Sequence, residues 1–372
     1  MKIAYLVHDL ADPAVARRVA TLTRAGADID LYGFRRTETA PATVAGVDAT
    51  DLGQTRDGRL AQRAVSVLAR RQDVGRWARR IAQAELVMGR NLEMLVLAAA
   101  ARRKFAPAAP LVYELLDIHS AMLGQRAPSR VLRAVEAALL RRSAAVLVSS
   151  QAFDRNYLSY HHPSRPKVLL AENKVSGAAP PSAVERPAGP PWRLGWFGII
   201  RCRRSLVLLA ELARRHPGLI EIDIRGKLAE AALGDSLELL TSTPGLRYYG
   251  PYDYFTDLPA IYGRVHFVWA IDFYEAGANS AWLLPNRLYE GGLHGTVPIA
   301  LKSVETGRWL AERDLGLTLG EPVEQAAETL FTGMTEAAYR ASAAAIAAAG
   351  VEPFLWQEAD DRALMAALSA LR

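Results

Sequence analysis

The sequence predicts an α/β protein of two doubly wound parallel-sheet domains facing a central cleft, followed by a C-terminal helix. Three observations carry this expectation. The chain's 372 residues exceed the ~250–300 at which a single core stops growing. Short apolar runs alternate with longer amphipathic stretches from end to end, as strand–helix units do. One stretch at 176–191, crowded with proline, glycine and serine, breaks the alternation. Proline fixes φ and removes backbone donors, so this stretch reads as a linker between two similar halves.

In the first half, strands are expected at 3–7, 29–34, 86–88, 111–116, 145–149 and 168–171. Each is short and rich in Val, Leu, Ile or Tyr, as strands buried on both faces are. Helical patterns lie between them at 15–24, 60–71, 92–103, 130–142 and 153–158. Alternation resumes with strands at 194–197, 220–224, 246–249, 266–271 and 298–301. The alanine-rich stretch 337–349 is a strong helix former, and 353–371 reads as a terminal helix. The expected division is an N-terminal domain at 1–175, a linker at 176–192, a C-terminal domain at 193–352, and a helix at 353–372 returning to the N-terminal domain.

Hydrophobic residues make up 51% and charged residues 23%, an ordinary globular balance. The single cysteine, Cys202, excludes a disulfide framework and a cysteine-based zinc site, and points to a reducing cytoplasm. Asp9 and Asp12 interrupt the apolar start too soon for a signal peptide, and no uncharged run approaches the ~18–20 residues of a membrane span. The net charge of +6 is uneven: residues 1–175 hold 27 Lys/Arg against 16 Asp/Glu, and the remainder 18 against 23. Much of the excess lies among Arg56, Arg59, Arg63, Arg70, Arg71, Arg76, Arg79 and Arg80. Such a run suits an anionic membrane surface or a phosphorylated acceptor, or it is a solvated helix face. Nucleic acid is set aside, because no recognition motif or aromatic platform accompanies the charge.

Doubly wound sheets bind ligands at the carboxyl ends of their strands, and candidates are judged by that position. The first strand runs into His8 and Asp9, and then Asp12-Pro13, an N-cap and N1 pair that starts a helix. His8, Asp9 and, after the strand at 86–88, Asn91 are candidates for holding an acceptor. Past the strand at 111–116 stand Asp117 and His119, two apart and on one side of an extended backbone. Either can take a proton if its pKa is tuned; the structural alternative is that Asp117 or Ser120 caps the next helix. Glu172, Asn173 and Lys174, before the linker, either reach the cleft or end a strand.

In the second half Gly198 permits close backbone approach, and a helix is expected near Ser205 with Arg201, Arg203 and Arg204 around its start. Amide donors, the helix dipole and forked guanidinium groups suit a diphosphate, which would also relieve the repulsion among the three arginines. Pro285, Asn286, Arg287, Leu288, Tyr289 and Glu290 begin a short helix with Asn286 as its expected N-cap. Glu290 is placed one turn in, where a carboxylate accepts from a vicinal diol, unless it is a plain surface charge. Thr306 and Gly307 open another helix after the strand at 298–301. No Walker-type phosphate loop is present, and Asp28-Ile29-Asp30 reads as strand alternation rather than a metal motif.

These C-terminal segments resemble the nucleotide-sugar domain of GT-B glycosyltransferases, especially family-4-like enzymes. In that family a Gly-x-x-Arg stretch precedes basic residues at the phosphates, matched here by Gly198 and Arg201 with Arg203 or Arg204. The stretch from Tyr289 to Pro298 looks like a variant of its ribose-holding Glu-Ala-x-x-x-Gly-x-Pro element. The segment from Trp282 to Gly291, with Glu305-Thr306-Gly307, is similar to bacterial exopolysaccharide enzymes of the succinoglycan type. The resemblance spans most of the chain, with specific motifs only in its C-terminal half. It implies two Rossmann-like domains, no metal or other cofactor, and a UDP-sugar donor held by Gly198, Arg201, Arg203, Asn286, Arg287, Tyr289, Glu290, Thr306 and Gly307. Trp282 stands where the family carries a further glutamate, which points away from a retaining mechanism. Related enzymes that invert draw a base from the N-terminal domain, the role this assigns to Asp117, with His119 beside it.

The function expected is transfer of a hexosyl unit, glucose or a close relative, from a UDP-sugar to a lipid-linked oligosaccharide in exopolysaccharide biosynthesis. The protein would rest peripherally on the cytoplasmic membrane face through its basic N-terminal half. The rivals are a UDP-sugar epimerase or hydrolase on the same fold, and a non-catalytic subunit that scaffolds an assembly.

Overall fold

The computed structural model describes residues 1–55, 66–67, 69–177, 186–254 and 256–372. They divide into two compact units, Met1–Gly177 with Trp356–Arg372, and Ala178–Leu355.

The first unit is built on β1 (Lys2–Val7), β2 (Asp28–Arg35), β3 (Thr43–Val44), β4 (Val47–Gln54), β5 (Leu86–Arg90), β6 (Leu111–Leu115), β7 (Ala145–Val148) and β8 (Lys167–Leu170). They form one sheet in the order β3-β4-β2-β1-β5-β6-β7-β8. All pairings are parallel except β3 with β4, which meet antiparallel around Ala45 and Gly46, both at positive φ. The chain reverses its direction of winding between β1 and β5. That is where a doubly wound sheet opens a crevice. Helices α1 (Pro13–Arg24), α2 (Asn91–Phe105) and α3 (Ala127–Leu140) belong to this unit. Val15, Val19 and Leu22, spaced by four and three, bury one face of α1 against Ile3, Tyr5 and Val7 of β1.

The second unit carries β9 (Trp192–Phe197), β10 (Ile220–Arg225), β11 (Leu246–Tyr248), β12 (Phe267–Trp269), β13 (Val297–Leu301) and β14 (Leu317–Leu319), in the order β11-β10-β9-β12-β13-β14. All its pairings are parallel, and the winding reverses between β9 and β12. Helices α4 (Arg203–Arg215), α5 (Asn286–Leu293), α6 (Glu305–Ala311), α7 (Val323–Thr332) and α8 (Glu336–Ala349) belong to it. Its core joins Trp192, Leu194 and Trp196 of β9 to Leu206, Leu209 and Leu212 of α4 and to Phe331 of α7.

The terminal helix, α9 (Glu358–Ser369), is part of the first unit. Its Leu364 and Leu368 enter the same core as Leu22. Asp361 accepts from Trp356 Nε1 at 2.8 Å and from Arg24 Nε at 3.1 Å, so a buried carboxylate locks α9 to α1.

Two doubly wound parallel sheets are thus present as expected. The sequence reading missed β3, β4 and β14. Val47–Gln54 lies toward the sheet edge and carries Asp48, Thr50 and Asp51, so it lacks the apolar run of a central strand. Leu317–Leu319 is too short for a period to register.

Candidate functional site

At the carboxyl end of β1, Asp12 caps α1 by accepting from Ala14 N at 2.8 Å, and Pro13 takes the first helical position, as expected. His8 Nε2 lies 3.3 Å from Asp12 Oδ2, while His8 Nδ1 is buried and, among the described residues, has no hydrogen-bond partner. Burial would raise the Asp12 pKa, but its bond to His8 and the nearby Arg90 charge hold the carboxyl well below the usual range. Asp9 is buried rather than open: it accepts from Ala11 N at 3.1 Å and lies 3.4 Å from Arg36 Nε. That makes Asp9 a brace of the loop, not a free acceptor ligand.

Across the winding reversal, β5 turns into α2 with no intervening loop. Gly89 allows this, since a Cβ there would meet the backbone of Leu95 at 2.7 Å. Asn91 takes φ +64°, a left-handed conformation that a side chain adopts at a cost. Its Oδ1 is buried and, among the described residues, has no hydrogen-bond partner. Leu6 pairs with Gly89, so His8 and Asn91 are equivalent positions on adjacent strands. Two unspent buried polar atoms therefore stand at the reversal point of this sheet.

Beneath them lies a buried ionic cluster that the sequence reading did not single out. Glu114 accepts from Arg90 Nε at 2.8 Å and Nη2 at 3.0 Å, from Arg18 Nε at 2.8 Å and from the Tyr5 hydroxyl. Burial alone would raise its pKa, but the two guanidinium groups outweigh that and lower it to about 2. A lone carboxylate, Glu114, inside the apolar strand Leu111–Leu115 was the available signal. The cluster fixes Arg90, and with it the strained Asn91.

Asp117 and His119 are both exposed past the end of β6. His119 caps the short helix Ser120–Met122 by accepting from Ala121 N through Nδ1 at 3.1 Å, so the capping role expected of Asp117 or Ser120 falls to it. Asn173 accepts from Arg17 Nε at 3.3 Å, and Lys174 lies 3.6 Å from Asp360, so both tie down the segment after β8. Asp28 and Asp30 flank Lys2 Nζ at 3.9 and 3.6 Å, as strand-end charges do.

In the second unit the winding reversal falls at the loop after β9. Gly198 has φ +113°, which strongly favours glycine. Gly226, just past β10, has φ +135°, and a Cβ there would meet the Gly198 carbonyl oxygen at 1.7 Å. The two loops are therefore packed backbone to backbone. Gly226 was overlooked, although Arg225-Gly226-Lys227 after a strand was legible. α4 begins at Arg203, two residues earlier than expected, and Cys202 caps it by accepting from Ser205 N at 3.4 Å. Arg201 donates to Asp272 at 3.3 Å, across the reversal from β9 to β12, and stacks on Tyr274. Arg204 pairs with Glu324 at 3.1 Å and lies over Phe273. Two of the three arginines, Arg201 and Arg204, are thus balanced by protein carboxylates. Arg203 is exposed and, among the described residues, has no such partner.

α5 starts at Asn286 with Pro285 as N-cap, so Asn286 is the first helical residue and not the cap. Arg287 keeps its Nη1 buried, with no hydrogen-bond partner among the described residues. Glu290 is 3% exposed and accepts from the Tyr262 hydroxyl at 2.8 Å; it is not a surface charge. Tyr289 is fully buried, edge-on to Trp309, and is a core residue rather than a ligand contact. Thr306 and Gly307 are also engaged within the unit. The Thr306 hydroxyl donates to Leu283 O at 3.2 Å, and a Cβ at Gly307 would meet Leu301 O at 2.0 Å, so glycine is there for helix–strand packing.

Of the basic run, Arg56, Arg59 and Arg63 lie outside the described residues. Arg70 and Arg76 both pair with Asp73, at 3.6 and 3.2 Å. No helix among the described residues is long and apolar enough to cross a membrane, and no group of three or more His, Cys, Asp or Glu among them is placed to hold a metal ion.

No family model matches the chain. It is 42% identical to the succinoglycan biosynthesis protein ExoL of Rhizobium meliloti strain 1021, over 100% of this chain and 94% of that one. Its structure is similar to Anabaena Alr3699/HepE in complex with UDP, with a TM-score of 0.72 and 15% identity over 100% of both chains. It is also similar to the lipopolysaccharide outer core galactosyltransferase WaaB (TM-score 0.66, 13% identity, 100% of both chains). A third likeness is to sucrose-phosphate synthase from Thermosynechococcus elongatus (TM-score 0.68, 13% identity, 100% of this chain and 99% of that one). At such identities these structures speak for the fold alone, which is the GT-B fold expected from the sequence.

Proposed function

Since the chain belongs to the family of the succinoglycan biosynthesis protein ExoL and has the GT-B fold, we propose that it is a glycosyltransferase of exopolysaccharide biosynthesis. It moves a hexosyl unit, glucose or a close relative, from a UDP-sugar to a lipid-linked oligosaccharide at the cytoplasmic membrane face. The observation that carries the donor side is the paired Gly198 and Gly226 turn, at the winding reversal, leading into a 13-residue helix whose first turn holds Arg203, which has no carboxylate partner among the described residues. Backbone approach, a positive helix end and a free guanidinium together suit a diphosphate. Arg287, with a buried donor unspent, joins it, and Glu290 receives a ribose hydroxyl. HepE has been solved with UDP, and with UDP and glucose, which supports a uridine nucleotide here.

On the acceptor side, His8 and Asn91 orient the incoming hydroxyl through the buried atoms they leave unpaired. Asp117 takes its proton as the oxygen attacks the anomeric carbon. The bond from that carbon to the diphosphate breaks, UDP leaves with its charge held by Arg203 and Arg287, and the anomeric configuration inverts. Arginines and a helix end neutralise the leaving group in this reading, so activity survives chelation. A thermal-shift screen of UDP-, GDP- and dTDP-sugars, with and without EDTA, tests the donor assignment. Stabilisation by the UDP series in both conditions is expected; stabilisation only by another nucleotide, or loss of it with EDTA, would overturn the assignment.

A further inference from the structure

In the basic run expected to meet a membrane, Arg70 and Arg76 are tied to Asp73, and Arg56, Arg59 and Arg63 lie outside the described residues, while a different element joins charge to an exposed apolar face. Six large hydrophobic side chains are exposed among the described residues: Val131, Val135, Tyr160, Leu170, Ile199 and Tyr274. Three of these six belong to one region, α3 and the short helix Ser159–His161 beside it. Val131 and Val135 are one turn apart on α3, and Ala127, Ala134 and Ala138 fall at the same three- and four-residue spacings. They make an apolar stripe along a helix of about 21 Å. Arg126 and Arg130 stand at its start, and Arg141 and Arg142 just past its end. All four are exposed, and none has a carboxylate partner among the described residues.

The acid that would balance this helix is withdrawn. Glu136, the sole acidic residue of α3, is 1% exposed and accepts from Tyr113 at 2.8 Å and from the Tyr157 hydroxyl, with His162 Nε2 at 2.8 Å. The same bonds hold the segment carrying Tyr160, 77% exposed, against α3. A stripe of small and branched apolar residues, with arginine at both ends, an exposed tyrosine beside it and no accessible carboxylate on the helix itself, has the make-up of an interfacial helix. Guanidinium groups fork onto phosphate oxygens, and tyrosine sits well at headgroup depth.

We infer that α3 and Tyr160 form the surface by which the protein docks on anionic phospholipid, lying in the headgroup plane without spanning it. The inference rests on the proposed use of a lipid-linked acceptor and says which face of the first unit meets the membrane. The full chain should co-sediment with vesicles of phosphatidylglycerol and phosphatidylcholine, and not with phosphatidylcholine alone. Arg141→Gln and Arg142→Gln should each weaken binding about fivefold and flatten its salt dependence. Val131→Asp with Val135→Asp should weaken it at least tenfold. UDP affinity, measured on the same samples, should be unchanged in all of them, and a circular-dichroism melting curve matching the wild type shows that the first unit folds. Wild-type indifference to anionic vesicles, or unaltered binding by the double aspartate variant, would overturn the surface while leaving the donor reading intact. So would self-association of the chain through this face in place of vesicle binding. Absence of UDP binding would instead count against the proposed function.

Discussion

Glu114 carries the charge balance of the first unit's interior, since two guanidinium groups and a phenol converge on its one carboxylate. Removing a buried partner leaves the opposite charges uncompensated, which costs about 3–5 kcal/mol. Glu114→Gln should therefore lower the melting temperature sharply, as calorimetry would record. The pH dependence has a definite sign. The folded pKa of about 2 lies below the ordinary value of 4.5, so the stability it brings is full above that ordinary value and is lost as pH falls toward 2. His294 adds a second, milder window in the other unit. Burial, then the Arg186 charge, lower its pKa from 6.5 to about 4, so its contribution fades as pH drops from about 6.5 to 4. Stepwise acid denaturation followed by circular dichroism would show both, and the His294→Gln variant should lose only the milder one. At the donor loop, Arg203→Ala should weaken UDP binding by roughly 10- to 100-fold, the worth of a charge-assisted hydrogen bond. Titration calorimetry measures this directly.

At the scale of elements, glycine positions separate binding from packing. Gly226→Ala combines a forbidden φ with a Cβ driven into the Gly198 carbonyl, so both stability and UDP affinity should fall. Gly307→Ala pushes α6 from β13 and should cost stability chiefly. Leu368→Ala, in the core that α9 shares with α1, should cost about 2–5 kcal/mol while UDP affinity is retained. These distinctions explain what was readable in advance. The central strands were legible because burial on both faces demands an apolar run. The helix after Pro13 was legible because Asp-Pro is a cap with a mechanism. Thr306 and Gly307 looked like a ligand loop, since sequence alone shows glycine without showing whether a ligand or a strand comes close. Tyr289 failed for a related reason, because its motif neighbours said nothing of the Trp309 ring that buries it. The Glu114 cluster stayed hidden because its members are separated by up to 109 positions in sequence.

At the scale of the whole molecule, the proposed transfer needs a donor loop in the second unit and Asp117 of the first as base. Asp117→Asn should cut turnover about 10²- to 10⁴-fold, the usual worth of a positioned general base, with UDP affinity preserved. The most direct test supplies the purified chain with UDP-[¹⁴C]glucose or UDP-[¹⁴C]galactose and a membrane extract carrying lipid-linked saccharide, and follows label into the organic phase. Label transfer from at least one donor is expected with the wild type, little with Asp117→Asn, and none without the extract. Binding of UDP with no transfer to any lipid fraction, or full transfer by Asp117→Asn, would contradict it.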